Sequence, residues 1–296
     1  MAVAHICDVR LSTSGGSLTN DGPIFGSDAA IVNVIGSEIA LYTSGAWTVR
    51  DFNPNDGAPG FVGASEDVPT DAQGVYDVFA YWDGSAIALE VLAWTNLTTR
   101  ATALARQNGV LVKSGDATRR YIGTVLSYSV EPDLSGYRVR SNETQRGIWN
   151  HHHRAFCPLR GRGSDTDEAL SSPSDGWDGW GNGQINFVIG LQQSLVLLSA
   201  HAVRFSQVAA GSYDSLEVGI RKDTNSGGPM SGSISDTFVQ DTLNAYDFAI
   251  SRVNDITELG SHFYEFIIQR NAGAAGNAWV YNDRFFSNGV YGLLYN

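Results

Sequence analysis

The stretch YDVFAYWDGSAIALEVLAWTNLTTRATALARQNGVLVKSGDATRRYIGT, Tyr76 to Thr124, decides the fold. Residues 75–82 are rich in β-branched and aromatic side chains, which suit a pleated, half-buried surface. Asp83-Gly84 follows and tolerates the positive φ angles of a tight hairpin turn. Residues 85–92 alternate and return. A second unit repeats the pattern: strand 110–113, a Ser114-Gly115-Asp116 turn, strand 119–126. Between the two units, residues 98–107 fit two readings. Thr98 could cap a short Ala/Leu/Arg helix, or the threonines could favour an irregular strand.

Working outward, residues 39–49 (IALYTSGAWTV) have the same form, with Ser44-Gly45 as the turn. Residues 53–71 read as a long loop punctuated by Pro54, Gly57, Pro59, Gly60, Gly63 and Pro69. Residues 131–146 are polar and read as a connection. Beyond them, strands recur at 185–191, 195–205, 216–221, 234–239, 246–253, 263–270, 278–281 and 290–295, with turn residues between. The expectation is an all-β chain. An antiparallel β-hairpin domain (1–145) precedes a β-sandwich domain (146–296) of jelly-roll-like form. No period of 20–50 residues, heptad or Gly-X-Y run is present, which excludes a solenoid or a fibrous shaft.

The same stretch resembles β-structured virion proteins of tailed bacteriophages, the fibre, spike and head-decoration class. The likeness is carried by Tyr76 to Phe79 with Tyr81, Trp94, Thr99 to Leu104 with Gln107, and Gly109 to Gly115. It continues through Arg119 to Tyr121, Gly123-Thr124, Trp149-Asn150 and Arg154. It spans roughly residues 39–154. The chain departs from the pattern after Trp149-Asn150, where His151-His152-His153 replaces aromatic residues. The resemblance implies a non-enzymatic structural component of a virion, partnered by copies of itself and by capsid or tail proteins. Fibres and spikes of this class are usually trimeric, so a homotrimer is expected. The apolar strand 290–295 and the high aromatic content call for the same kind of burial.

Composition bounds the alternatives. The chain has 296 residues, 43 % of them hydrophobic, enough for an ordinary core. Its net charge of −12 disfavours nucleic-acid binding, which needs a basic face. No 18-residue apolar run is present, so no membrane insertion is expected. MAVAHICDVR lacks a basic start followed by an apolar segment, which fits assembly in the host cytoplasm and release by lysis. Cys7 and Cys157 are then expected to be buried and reduced. The charge is uneven. Residues 119–162 hold eight arginines and three acids, +5, and the remainder carries −17. Arg119, Arg120, Arg138, Arg140, Arg146, Arg154, Arg160 and Arg162 are thus candidates for docking on an acidic neighbour, with scattered intramolecular ion pairs as the other reading.

Two clusters could carry chemistry. His151 and His153 would share a face in a strand and are a weak metal candidate, but a structural site needs about four ligands. No cofactor is therefore expected. The acidic segment 165–182 interleaves carboxylates with tryptophans. Trp177, Trp180, Asp175, Asp178 and Asn182 could bind a host-surface glycan through flat aromatic faces and hydrogen bonds. Two further functions follow from that cluster, a glycan-binding receptor module and a surface-polysaccharide depolymerase. No G-x-S-x-G, Walker, H-E-x-x-H or C-x-x-C pattern is present, so no catalytic residue is assigned.

Overall fold

The computed structural model describes residues 3–12, 30–51, 62–69, 72–129, 137–139, 144–162, 168–170, 178–192, 194–203, 205–207, 215–223, 230, 237–239, 247–256, 258–271, 278–280 and 289–295. Among them every regular element is a β-strand, apart from one 3₁₀ turn at Val3–His5.

Four strands make the first sheet: β1 (Cys7–Ser12), β2 (Ala30–Thr43), β3 (Ala46–Asp51) and β4 (Val62–Val68). The other three all pair antiparallel with the long β2. Strand β4 lies inside the segment expected to be loop. The Gly/Pro signals that flank it hid a short run with little alternation, VGASEDV.

The middle sheet contains β5 (Gly74–Trp82), β6 (Ile87–Ala93), β7 (Leu104–Gln107), β8 (Val110–Lys113) and β9 (Asp116–Ser129), ordered β6-β5-β9-β8-β7. The hairpin turns of these two sheets follow the sequence. Ser44-Gly45 and Asn108-Gly109 have positive φ at both residues (52° and 86°; 54° and 86°), the mirror-image turn that matches strand twist. Asp83 Oδ1 accepts hydrogen bonds from the amides of Ser85 and Ala86, which fixes the β5–β6 turn. Before β7 there is no helix. Asn96 Oδ1 accepts from the amides of Thr98 and Thr99 at 2.9 and 2.8 Å, a side-chain-closed turn that diverts the chain before a helix could start.

The connection between the halves is woven. β10 (Tyr137–Val139) pairs with β9. β11 (Gln145–Arg146) joins a sheet of the second half, and β12 (Ile148–Asn150) returns to pair with β9.

The second half contains β13 (Phe156–Arg162), β14 (Glu168–Leu170), β15 (Asp178–Ile189), β16 (Ser194–Val203), β17 (Phe205–Gln207), β18 (Ser215–Lys222), β19 (Thr237–Val239), β20 (Asp247–Ile256), β21 (Gly260–Asn271), β22 (Ala278–Val280) and β23 (Gly289–Tyr295). One sheet runs β13-β23-β16-β20, and the facing sheet runs β15-β21-β18-β19 with β11 on its edge. Taken along the chain, the eight principal strands pass from one sheet to the other at every step except β18 to β19, which pair directly, in the order of two Greek keys. That is the jelly-roll topology.

The registers give the roll two distinct ends. Ile189 lies opposite Gly260 and Ser194 opposite Ile256 at one end. Arg162 and His201 lie opposite Gly289 and Val203 opposite Asp247 at the other. β14, β17 and β22 fall between strand ends of the second kind and pair into a small sheet of their own, β14-β22-β17.

The middle sheet is covered on both faces. Tyr76, Val78, Ala80, Ile122 and Val125 pack toward Val9, Leu11, Ile39 and Leu41 of the first sheet. Val75, Phe79, Tyr121 and Leu126 pack the other way, with Trp149, against Val188 of β15 and its neighbours Leu191 and Leu259. The second core thus draws on both halves of the sequence.

Candidate functional site

Several of the residues that carry the sequence resemblance meet in that second core. β5 has six consecutive buried positions, Val75 to Ala80, so Asp77 is 1 % exposed instead of facing water. Arg100, delivered by the Asn96 turn, answers it with two hydrogen bonds. Nε donates to Asp77 Oδ2 at 2.6 Å and Nη2 to Oδ1 at 3.0 Å. Nη2 also donates to the Gly190 carbonyl at 2.7 Å, at the roll's near end. The guanidinium lies over Trp94, 4.7 Å from the ring centroid.

Hydroxyls complete the cluster. A carboxylate can only accept, so Thr124 Oγ1 donates its hydrogen to Asp77 Oδ1 (2.8 Å). It then accepts from the Tyr121 hydroxyl at 2.6 Å. Burial, reinforced by the Asp77 charge, pushes the Tyr121 phenol up and keeps it a donor. Tyr121 stacks on Trp149 (6.3 Å, 29°), and Trp149 on His151 (6.1 Å, 18°). Gly190 closes the site because nothing larger fits. A Cβ there would stand 2.5 Å from the Tyr121 hydroxyl and 2.6 Å from the Trp149 ring. The Leu97 carbonyl also accepts from the Ser261 amide at 2.8 Å. Chemically, the cluster ties the two halves together. Both Asp77 oxygens already accept bonds from the protein, and the carboxylate is shut away from solvent.

The arginine belt is largely consumed inside the chain. Arg120 is 1 % exposed, and its Nη1 reaches the carbonyls of Ala4, Ile6 and Ala40 at 3.1, 2.9 and 2.7 Å. Arg146 is buried too and donates to the Pro158 carbonyl. Neither can face a partner, because peptide carbonyls solvate each guanidinium within the fold. Arg119 pairs with Glu90 at 3.2 Å and lies over Tyr81. Arg154 lies between Trp149 and Tyr295, and Arg160 is near Tyr291. Arg138 on β10 and Arg162 on β13 are described by backbone alone, and Arg140 lies outside the described residues.

The histidines occupy a bend, not a strand, so His151 and His153 share no strand face. His151 turns onto Trp149 and His152, while His153 approaches Asp8 at 3.8 Å. Among the described residues no three His, Cys, Asp or Glu side chains are grouped to hold a metal. EDTA is expected to leave the melting temperature unchanged; a fall of many degrees would reveal a structural ion. The two cysteines form no disulfide.

Burial, then the charge of Arg120, holds His151 down at about 4 and His152 at about 3. Both stay neutral in the fold while the unfolded chain protonates near 6.5. Their contribution to stability is complete above pH 6.5 and is lost as pH falls toward 4 and 3. The melting temperature should drop across that window, and His152→Gln should flatten the drop. An equally steep drop in the variant would assign the effect elsewhere.

Asp175 and Trp177 lie outside the described residues, and the side chains of Asp178, Trp180 and Asn182 are not described. Residues 178–182 belong to strand β15, not to a loop. Between Gly179 and Gln184 its register slips, five residues advancing against two on β21. Trp180-Gly181-Asn182-Gly183 therefore forms an irregular bulge, which glycine permits and alternation could not reveal. It lies toward the end of the roll remote from the Asp77–Arg100 cluster.

No family model matches the chain, and no curated protein sequence does. Among solved structures it is similar to infectious bursal disease virus, Gt strain, at TM-score 0.31 and 12 % identity, covering 98 % of this chain and 71 % of that one. It is similar to the VP2 subviral particle of the same virus at TM-score 0.30 and 12 % identity, covering 77 % and 69 %. The insecticidal delta-endotoxin Cry8Ea1 from Bacillus thuringiensis gives TM-score 0.22 and 7 % identity, covering 98 % and 53 %. These are weak likenesses of β architecture and carry nothing about function.

Proposed function

We propose that the chain is a non-enzymatic structural subunit of a tailed-phage virion, a fibre, spike or head-decoration protein. It assembles with copies of itself and with capsid or tail proteins. One observation carries this reading. Six of the residues on which the resemblance to virion proteins rests (Asp77, Trp94, Arg100, Tyr121, Thr124, Trp149) converge on a buried tie between the hairpin sheet and the jelly roll. Such a motif specifies a rigid module and does not prepare a reaction centre. The test is genetic. A nonsense mutation in the coding sequence, read in a non-suppressing host, should give particles that lack a component or fail to attach. Infectious particles of unchanged composition would contradict the proposal.

A second reading, outward contact with a host glycan, is favoured by the bulge at residues 180–183, far from the base. Trp177→Ala with Trp180→Ala should then abolish adsorption to host cells while assembly stays normal. Lost assembly would assign both rings to packing.

A further inference from the structure

We propose that Thr144, Gln145 and Arg146 form a strap that shuts the outer edge of β13 against strand addition by a second copy of the chain. The inference stands apart from the subunit reading, because an open strand edge is a hazard in any β-protein.

Strand β13 ends its sheet. It pairs with β23 and, among the described residues, with no other strand. In an antiparallel pair the N–H and C=O of one residue point the same way, and alternate residues point away from the partner strand. Pro158 and Arg160 are alternate positions, opposite Leu293 and Tyr291. Side chains of the strap take both of their carbonyls. Arg146 forks onto the Pro158 carbonyl, with Nε at 3.3 Å and Nη2 at 3.1 Å. Thr144 Oγ1 donates to the Arg160 carbonyl at 3.2 Å. These carbonyls therefore face the outer edge, where an added strand would need them as acceptors. The N–H that would accompany the first of them is missing, because residue 158 is proline. An incoming strand would thus find one donor absent and would have to displace a guanidinium that is 6 % exposed.

The strap is held from its other side by main chain. Gln145 and Arg146 pair parallel with Asn186 and Phe187 of β15. The Asn186 amide donates to the Thr144 carbonyl at 2.9 Å. β13 ends one sheet of the roll and β15 is the outermost long strand of the facing sheet, so three residues bridge the corner between them. The next residue fixes the strap to the hairpin half, since the Leu126 amide donates to the Gly147 carbonyl at 2.8 Å. A second β13 is the strand that an uncovered edge would accept. Turned about a two-fold axis at Pro158, it would place Phe156 of one copy opposite Arg160 of the other, ring against guanidinium.

Sedimentation velocity on the full chain over a wide concentration range, with amide hydrogen exchange at Arg160, tests this. Thr144→Val combined with Pro158→Ala removes one strap bond and restores the edge N–H. Both positions are exposed, so this variant should fold. At equal concentration it should form a species larger than that of wild type, in which the Arg160 amide exchanges at least ten-fold more slowly. Arg146→Ala should associate more strongly still; if circular dichroism shows that it does not fold, the exposed pair decides alone. A folded Thr144→Val, Pro158→Ala variant that sediments as wild type does would overturn the proposal. So would a larger species with unchanged exchange at Arg160, because the contact would then lie away from β13.

Discussion

Asp77→Ala is expected to destabilise the fold by about 3–5 kcal/mol, the cost of stranding a buried guanidinium. Asp77 is 1 % exposed, and the Arg100 side chain is 12 % exposed. Without the carboxylate, Arg100 keeps only the Gly190 carbonyl among these acceptors, and Thr124 loses the acceptor of its hydroxyl. A total stability of 5–15 kcal/mol would be cut deeply. Denaturant midpoints for Asp77→Ala, Arg100→Ala and the double variant check this. The double variant should lose clearly less than the sum of the singles, since both remove one interaction. A loss under about 1 kcal/mol for Asp77→Ala would place the pair among surface ion pairs and contradict the burial argument.

The second large effect concerns cutting the chain where composition suggests a boundary. Residues 1–145 alone should not give a cooperative melt. The cut removes strand β12 from the middle sheet. It also removes Trp149, which is fully buried, and uncovers Val75, Phe79 and Leu126. Losing a buried tryptophan alone costs about 3–5 kcal/mol. Adding residues 146–155 should not rescue the fragment fully, because Val188 and the Gly190 carbonyl would still be missing. Circular dichroism melts of the full chain and both fragments decide the matter. A sharp transition for residues 1–145 would show two independent domains.

Much of this architecture was legible in the sequence because β alternation and hairpin turns are local signals. Ser44-Gly45, Asp83-Gly84 and Ser114-Gly115 mark turns that the structure contains, and the strands expected from residue 185 onward lie near their positions, whereas β13 (Phe156–Arg162) and β14 (Glu168–Leu170) fall where no strand was expected. The tie was not legible. Alternation counts a charged residue as a solvent-facing position, yet β5 is buried on both faces, so Asp77 points inward to Arg100, 23 residues away. Two members of the arginine belt were hidden in the same way. Arg120 and Arg146 look like surface charge in a sequence, but backbone carbonyls brought together only by the fold take up their hydrogens. The bulge at residues 180–183 was read as loop because Gly-Trp-Gly-Asn-Gly has turn composition.

The central claim is that the chain is a stoichiometric part of a virion. Quantitative mass spectrometry of gradient-purified particles from the genome that encodes it tests this most directly, combined with gold-labelled antibody against the chain. The account predicts many copies per particle, co-purifying at constant ratio to the major capsid protein and labelled at one defined location. A chain confined to the soluble lysate, absent from purified particles, would contradict it.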